Sequence, residues 1–109
     1  HVNLEKLENL DLSYNEIPDI NILEKGNFKN IKNLDFFDNN ISNIILEKKE
    51  NFEKLEELNL GLNNISDIDF LKKINFNELK VLSLQINKIS NIKILEKLNF
   101  PKFRRIKFM

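Results

Sequence analysis

The chain has 109 residues, and its 17 Lys and Arg residues balance its 17 Asp and Glu residues. Balanced charge gives no support for a nucleic-acid-binding or membrane-surface protein, and no apolar stretch is long enough to predict a transmembrane helix. Cysteine is absent and the only histidine is His1, which excludes disulfide-bonded end caps, histidine-based catalysis and an ordinary zinc site.

The predicted elements recur along the chain with a spacing of 24 residues. In chain order, the pattern predicts a short strand over 10–12, a return segment with one or two helical turns over 22–25, and a descent into the next repeat at Phe28. The equivalent return segments are 46–49, 70–73 and 94–97. We divide the chain into four full repeats and a partial one, at 4–27, 28–51, 52–75, 76–99 and 100–109.

Each strand carries the alternation of Leu-x-Leu, which gives it one buried side. A single repeat is too short to bury that side, so we expect stacked repeats whose strands pair in parallel. An asparagine column follows the strands, and we expect its amides to satisfy backbone groups in the bend and in the next repeat. This column is Asn15, Asn39, Asn63 and Asn87. Asp19, Asn43, Asp67 and Asn91 precede the return segments and suit helix N-capping.

Residues 55–65, LEELNLGLNNI, read L-x-x-L-x-L-x-x-N-x-I. Over essentially its whole length the chain resembles the leucine-rich repeat family. Segments 40–44 and 64–68 are most similar to the N-x-I-x-x-I subclass of protein phosphatase 1 regulatory subunits and bacterial internalins. The resemblance implies an α/β solenoid, with parallel strands on a concave face and helical or 3-10 turns on a convex face. It also implies that the concave face binds another macromolecule, usually a protein.

The register predicts which side chains lie on the open face of the sheet. The first row is Asn9, Asn33, Glu57, Val81 and Arg105; the second is Asp11, Asp35, Asn59, Ser83 and Lys107; the third is Ser13, Phe37, Gly61, Gln85 and Met109. Tyr14, Asp38, Leu62 and Ile86 follow at the strand ends. Apolar side chains on or beside such a face are typical anchors for a protein partner, and Gly61 is expected to leave space for one of the partner's side chains. The candidate anchors are Phe37, Leu62, Ile86, Tyr14 and Val81.

Other interpretations of these positions stay open. Leu62 and Ile86 could instead be covered by the turn and extend the core. Among the charged residues of the open face, Asp11, Asp35, Arg105 and Lys107 are further candidate partner-binding residues. The charges also form a gradient that could orient or steer a partner, be solvated surface, or contact a further repeat. Its acidic part in the first repeat is Glu5, Glu8, Asp11, Glu16, Asp19 and Glu24, and its basic part at the C-terminal end is Lys88, Lys93, Lys97, Lys102, Arg104, Arg105 and Lys107. Asp11 and Asp35, with Asp38, could hold a calcium ion or form only a solvated acidic patch.

The sequence therefore predicts a non-catalytic protein-interaction scaffold with a protein partner, no cofactor, no metal, no small-molecule substrate and no membrane insertion. One alternative is a regulatory or targeting subunit of an enzyme such as a protein phosphatase. A second is nucleic-acid binding at the basic C-terminal end, through Lys102, Arg104, Arg105 and Lys107. Lacking Cys and any signal-peptide pattern, the chain is expected to be intracellular, and its ends inside the repeat pattern predict a fragment of a longer protein.

Overall fold

A computed structural model describes residues 2–47 and 49–108. Seven strands and four 3-10 helices are assigned within these residues. The strands are β1 Val2–Asn3, β2 Asn9–Asp11, β3 Gly26–Asn27, β4 Asn33–Asp35, β5 Glu57–Asn59, β6 Val81–Ser83 and β7 Arg105–Lys107. The helices are η1 Asn21–Lys25, η2 Lys49–Phe52, η3 Asp69–Lys72 and η4 Lys93–Lys97. The protein is thus a small α/β protein.

The main sheet has five parallel strands in the order β2-β4-β5-β6-β7, which follows the chain. Every pairing joins residues 24 positions apart, so that Leu10 lies opposite Leu34, and Leu58 opposite Leu82. Backbone bonds extend this pairing past the assigned strands, since the Tyr14 N–H donates to the Phe37 carbonyl at 2.8 Å. The register predicted from the sequence columns is therefore confirmed. β1 and β3 form a separate two-stranded parallel sheet.

The apolar columns form the core between the main sheet and the return segments. Leu34, Leu58 and Leu82 are buried together with the residues two positions after them, as the Leu-x-Leu alternation requires. Phe28, Phe52 and Phe76 are also buried in the descending column. The rings of Phe52 and Phe76 meet edge to face with centroids 6.2 Å apart, an arrangement that adjacent aromatic rings favour.

The asparagine column bonds backbone groups in two successive repeats. The side-chain amide of Asn63 donates to the Leu60 carbonyl of its own turn at 3.1 Å and to the Phe36 carbonyl of the preceding repeat at 3.0 Å. Its oxygen accepts the Ile41 N–H at 3.0 Å. Asn39 and Asn87 make the same set of bonds one repeat earlier and one repeat later. The structural role predicted for this column is confirmed, but the amides reach the preceding repeat and not the next one.

A second asparagine column, at 27, 51, 75 and 99, was not recognised from the sequence although it has the same spacing. Asn51 is its buried member. Its amide donates to the Leu23 carbonyl at 2.7 Å, and its oxygen accepts the Phe28 N–H at 3.1 Å. Asn51 therefore connects its own repeat, through Phe28, to Leu23 of the preceding repeat.

The return segments form short 3-10 helices as predicted in the first, third and fourth repeats. In each, the Asp or Asn side chain stands one position before the assigned cap residue and accepts the N–H of the first helical residue. The distances are 2.9 Å for Asp19, 2.8 Å for Asp67 and 3.1 Å for Asn91. These side chains therefore satisfy a free helical N–H group from outside the helix.

The second repeat departs from this arrangement, and the prediction of a helical turn over 46–49 is wrong for its described residues. Residues 45–47 are irregular and η2 begins only at Lys49, while residue 48 lies outside the described part. The column that buries Leu23 and Leu71 in other repeats holds Glu47 here, which is exposed. A turn in the usual place would bury an unpaired carboxylate, which is strongly unfavourable. The irregular segment leaves the Ile45 side chain 69% exposed.

Ion pairs connect neighbouring repeats just before the strands. Each joins two side chains separated by 24 residues in sequence, with N–O distances between 3.0 and 3.7 Å. The pairs are Glu5–Lys29, Glu8–Lys32, Glu56–Lys80 and Glu78–Lys102. The Lys80 hydrogen bond is the main cause that lowers the pKa of Glu56 below its ordinary value. In the described part of the chain, no helix has both the length and the apolar character needed to cross a bilayer.

Candidate partner-binding face

The parallel register places the first two predicted rows on one face of the main sheet, which we call the open face. The open face is defined by residues 9, 11, 33, 35, 57, 59, 81, 83, 105 and 107. These residues line a groove with a volume of about 320 Å³. Because residues two apart on a strand point to the same side, the two rows run side by side across all five strands.

The acidic end of the groove is held in place by backbone bonds. One oxygen of Asp11 accepts both the Ser13 N–H at 2.9 Å and the Ser13 hydroxyl at 2.6 Å. These two bonds lower the pKa of Asp11, so this carboxylate is ionised at neutral pH. Asp35 accepts the Phe37 N–H at 2.9 Å in the same way. Both aspartates therefore accept a backbone N–H just after their strands, and both place a carboxylate in the groove.

The same backbone hydrogen bond forms at Asn59, which is uncharged, so the bond does not depend on the negative charge of the aspartates. The Asn59 side-chain oxygen accepts the Gly61 N–H at 3.0 Å, as the aspartates do on β2 and β4. An amide at this position therefore preserves the local geometry while removing the negative charge.

The opposite end of the groove is basic. Arg105 and Lys107 are exposed on β7, and half-buried Val81 lies beside Arg105 on β6. Lys102 of the predicted basic cluster instead pairs with Glu78 at 3.0 Å. Arg105 and Lys107 are thus the members of that cluster that give the groove its positive end.

A row of left-handed backbone conformations follows the strands. Tyr14, Asp38, Leu62 and Ile86 have φ angles of 59°, 58°, 53° and 54°. We call these four residues the left-handed row. Aspartate tolerates this region, but the other three side chains do so only at a cost, which is greatest for the β-branched Ile86. The repeat register predicted that these residues lie at the strand ends, but it did not predict their left-handed conformation.

The apolar members of the left-handed row are also exposed to solvent. Tyr14 is 72% exposed, Ile86 63% and Leu62 36%. The interpretation of Ile86 as an extension of the core is therefore wrong, and Leu62 is exposed to a lesser extent. Tyr14 and Ile86 thus project at positions where neither burial nor backbone preference favours them.

Phe37 was predicted to be an exposed anchor on or beside the open face, but its side chain is only partly exposed. It is half-buried, and its ring meets that of Tyr14 edge to face with centroids 5.7 Å apart. A Cβ atom at Gly61 would lie 3.0 Å from Phe37 Cδ1 and 3.2 Å from Cε1. The prediction that Gly61 leaves space for a partner's side chain is therefore wrong, because the Phe37 ring already occupies that space.

The structure brings five of the predicted partner-binding residues together around one groove. These are Asp11, Asp35, Val81, Arg105 and Lys107. Phe37 follows Asp35 by two residues, and Tyr14, Leu62 and Ile86 lie at the carboxyl ends of the strands. Met109, predicted in the third row, lies outside the described residues.

The described side chains contain no group of three His, Asp, Glu or Cys residues able to hold a metal ion. One oxygen of Asp11 and one of Asp35 already bond the chain. At the acidic end of the groove, each aspartate thus has one oxygen that accepts a hydrogen bond within its own turn.

Comparison of the chain with protein-family models, curated proteins and solved structures gave no match.

Proposed function

We propose that this protein is a leucine-rich repeat solenoid that binds a protein partner on the open face and has no catalytic activity of its own. The solenoid assignment is supported by the constant register of 24 residues, the parallel strands in chain order and the asparagine column that bonds successive repeats. In a solenoid, the strand-lined side would be the concave surface and the 3-10 helices would lie on the convex one.

The observation that carries the binding proposal is the left-handed row. Ile86 and Leu62 combine a left-handed backbone with an exposed apolar side chain. A left-handed non-glycine residue costs of order 1–3 kcal/mol. Ile86, which is 63% exposed, recovers little of this through burial, whereas Leu62, which is 36% exposed, recovers more. Such local violations of folding preference are expected at functional sites, where a partner supplies the missing contact.

The position of the row also fits a binding surface. Its side chains stand at the strand ends beside the polar groove, and the Tyr14 ring adds an aromatic surface in contact with Phe37. Apolar anchors bordered by polar groups are the usual composition of a protein–protein interface. We expect the anchors to supply affinity and the groove to supply orientation.

The test uses substitutions that remove the anchors without damaging the fold. Asparagine tolerates the left-handed region, so a Leu62→Asn/Ile86→Asn variant should fold at least as stably as the native protein. Ile45→Asn is the matched control, because Ile45 is similarly exposed but lies on the return side. Native and variant proteins would be used to capture partners from the source cells, and the affinity of an identified partner would then be measured by calorimetry.

The proposal expects a partner bound by the native protein and the Ile45→Asn control, with at least a tenfold weaker affinity for the double variant. A tenfold loss corresponds to about 1.4 kcal/mol, a modest value for two anchors. Equal affinity for all three proteins, or no partner for the native one, would refute it. If the partner has catalytic activity, the protein is a regulatory or targeting subunit.

A further inference from the structure

The groove on the open face has opposite charges at its two ends. Asp11 and Asp35 lie on the neighbouring strands β2 and β4, and Arg105 and Lys107 lie on β7 at the far edge of the sheet. Glu57 adds a negative charge on the central strand. The floor between the ends is polar or small, with Asn59, Ser83 and Val81.

From this arrangement we infer that the groove takes an extended protein segment lying across the strands, with basic residues over Asp11 and Asp35 and acidic residues over Arg105 and Lys107. The inference rests on the proposed function and specifies its partner. Complementary charges at both ends fix the orientation of the segment and exclude partners of uniform charge. A polyanion such as a nucleic acid would meet three carboxylates in the groove, including that of Glu57.

The geometry sets the length of the segment. The acidic end of the groove occupies β2 and β4, so the gap to the basic end on β7 is the three inter-strand spacings from β4 to β7, about 14 Å at about 4.8 Å each. An extended chain advances about 3.3 Å per residue, so about four residues connect the two charged ends. With two charged residues at each end, the partner segment has about eight residues.

A second copy of this chain fits less well, although its charges are also arranged in two ends. Two identical grooves facing each other would leave an empty space and not fill one another. A two-fold axis parallel to the strands would also place Glu57 opposite the same residue of the other copy. The groove is better filled by a single extended chain.

The experiment uses three isomeric fluorescent peptides of eight residues. The two block peptides have two lysines at one end, two glutamates at the other and four uncharged residues between them, and they differ in chain direction. The mixed peptide has the same composition with one lysine and one glutamate at each end. Binding to the full chain is measured by fluorescence anisotropy at low and high salt.

The variants neutralise one end of the groove at a time. Asp11→Asn/Asp35→Asn keeps the oxygen that bonds the backbone, as Asn59 does on β5. Arg105→Gln/Lys107→Gln neutralises the other end. Asp69→Asn/Lys72→Gln removes two exposed charges of η3 on the return side and is the control. Circular dichroism establishes that all variants are folded.

We expect one of the block peptides to bind more tightly than the mixed peptide, and either neutralised end to weaken that binding about fivefold at low salt. High salt should remove most of the difference, while the η3 control leaves it unchanged. Equal binding of block and mixed peptides, or no binding of either, would overturn the segment proposal. Failure of the anchor test with Leu62 and Ile86 would instead overturn the proposed function.

Sedimentation velocity tests the other possible occupant of the groove, which is a second copy of this chain. If a second copy fills the open face, self-association should disappear in both end-neutralised variants. It should return when a variant with acidic residues at both ends of the groove is mixed with a variant with basic residues at both ends. That result would overturn the segment proposal. A monomer that binds the block peptide supports it.

Discussion

Replacing Ile86 by asparagine should stabilise the protein, although it removes an apolar side chain. Ile86 has a φ of 54° and is 63% exposed. A β-branched residue in this region costs about 2 kcal/mol, most of which asparagine avoids. Burying a whole isoleucine side chain contributes about 1.5–3 kcal/mol, so the third of the side chain that is covered contributes only about 0.5–1 kcal/mol. The free energy of unfolding should therefore rise by about 1 kcal/mol.

Ile45 provides a control of nearly the same exposure. It is 69% exposed, and it is not among the described residues with positive φ. Ile45→Asn should therefore lower the free energy of unfolding by about 0.5 kcal/mol, which is the burial contribution without backbone relief. The difference between the two variants isolates the backbone contribution at about 1.5 kcal/mol.

Urea unfolding at 25 °C measures both effects. With a slope of roughly 1–3 kcal/mol per molar, Ile86→Asn should raise the midpoint by about 0.5 M. Equal destabilisation by Ile86→Asn and Ile45→Asn would refute the reasoning. The exposed apolar row would then have no measurable folding cost, and the main argument for its proposed binding role would fail.

Three further predictions concern stability. Asn63→Ala should lower the free energy of unfolding by about 3 kcal/mol, since it leaves the buried Ile41 N–H without a partner and removes one of the two side-chain amides that the Phe36 and Leu60 carbonyls each accept, whereas exposed Asn15→Ala should cost under about 1 kcal/mol in urea unfolding. Gly61→Ala should cost about 1 kcal/mol, because the new Cβ would lie 3.0 Å from the Phe37 ring, and should cost little in a Phe37→Ala background. The lowered pKa of Glu56 means that its ion pair with Lys80 stabilises the folded state above the ordinary pKa of a glutamate, and this contribution is lost as the pH falls through the lowered pKa, so the difference in urea midpoint between native protein and Glu56→Gln should shrink in acid.

Each of these has a result that would contradict it. Similar losses for the two asparagine substitutions would mean that the buried bonds add nothing beyond the exposed ones. An unchanged cost of Gly61→Ala without the Phe37 ring would assign that cost to the backbone. A midpoint difference for Glu56→Gln that persists in acid would show that the substitution acts through packing and not through charge.

The register of the main sheet could be predicted because one spacing governs every column. Once Leu10, Leu34 and Leu58 are aligned, a parallel sheet has only one pairing that buries all of them, and the polar rows of the open face follow from that pairing. The lining of the groove by Asp11 and Arg105 was therefore available from the sequence alone.

The backbone conformation at Ile86 could not be predicted in this way, because isoleucine is among the residues that least favour a positive φ. The position of the Phe37 ring depended on the missing side chain at Gly61, which equally allowed a partner to enter. The displaced turn in the second repeat had a visible signal in Glu47, where other repeats have a leucine, but its new location depended on how the following residues pack.

The asparagine column has a consequence for how the protein opens. The carbonyl groups of Phe36 and Leu60 each accept a side-chain amide from their own turn and another from the following repeat. The N–H groups of Ile41 and Ile65 donate to side-chain oxygens of the following repeat and not to a neighbouring strand. Their protons can exchange with solvent only when two repeats separate. In a hydrogen-exchange experiment, these two amides would report the parting of neighbouring repeats while the sheet amides report the opening of the strands.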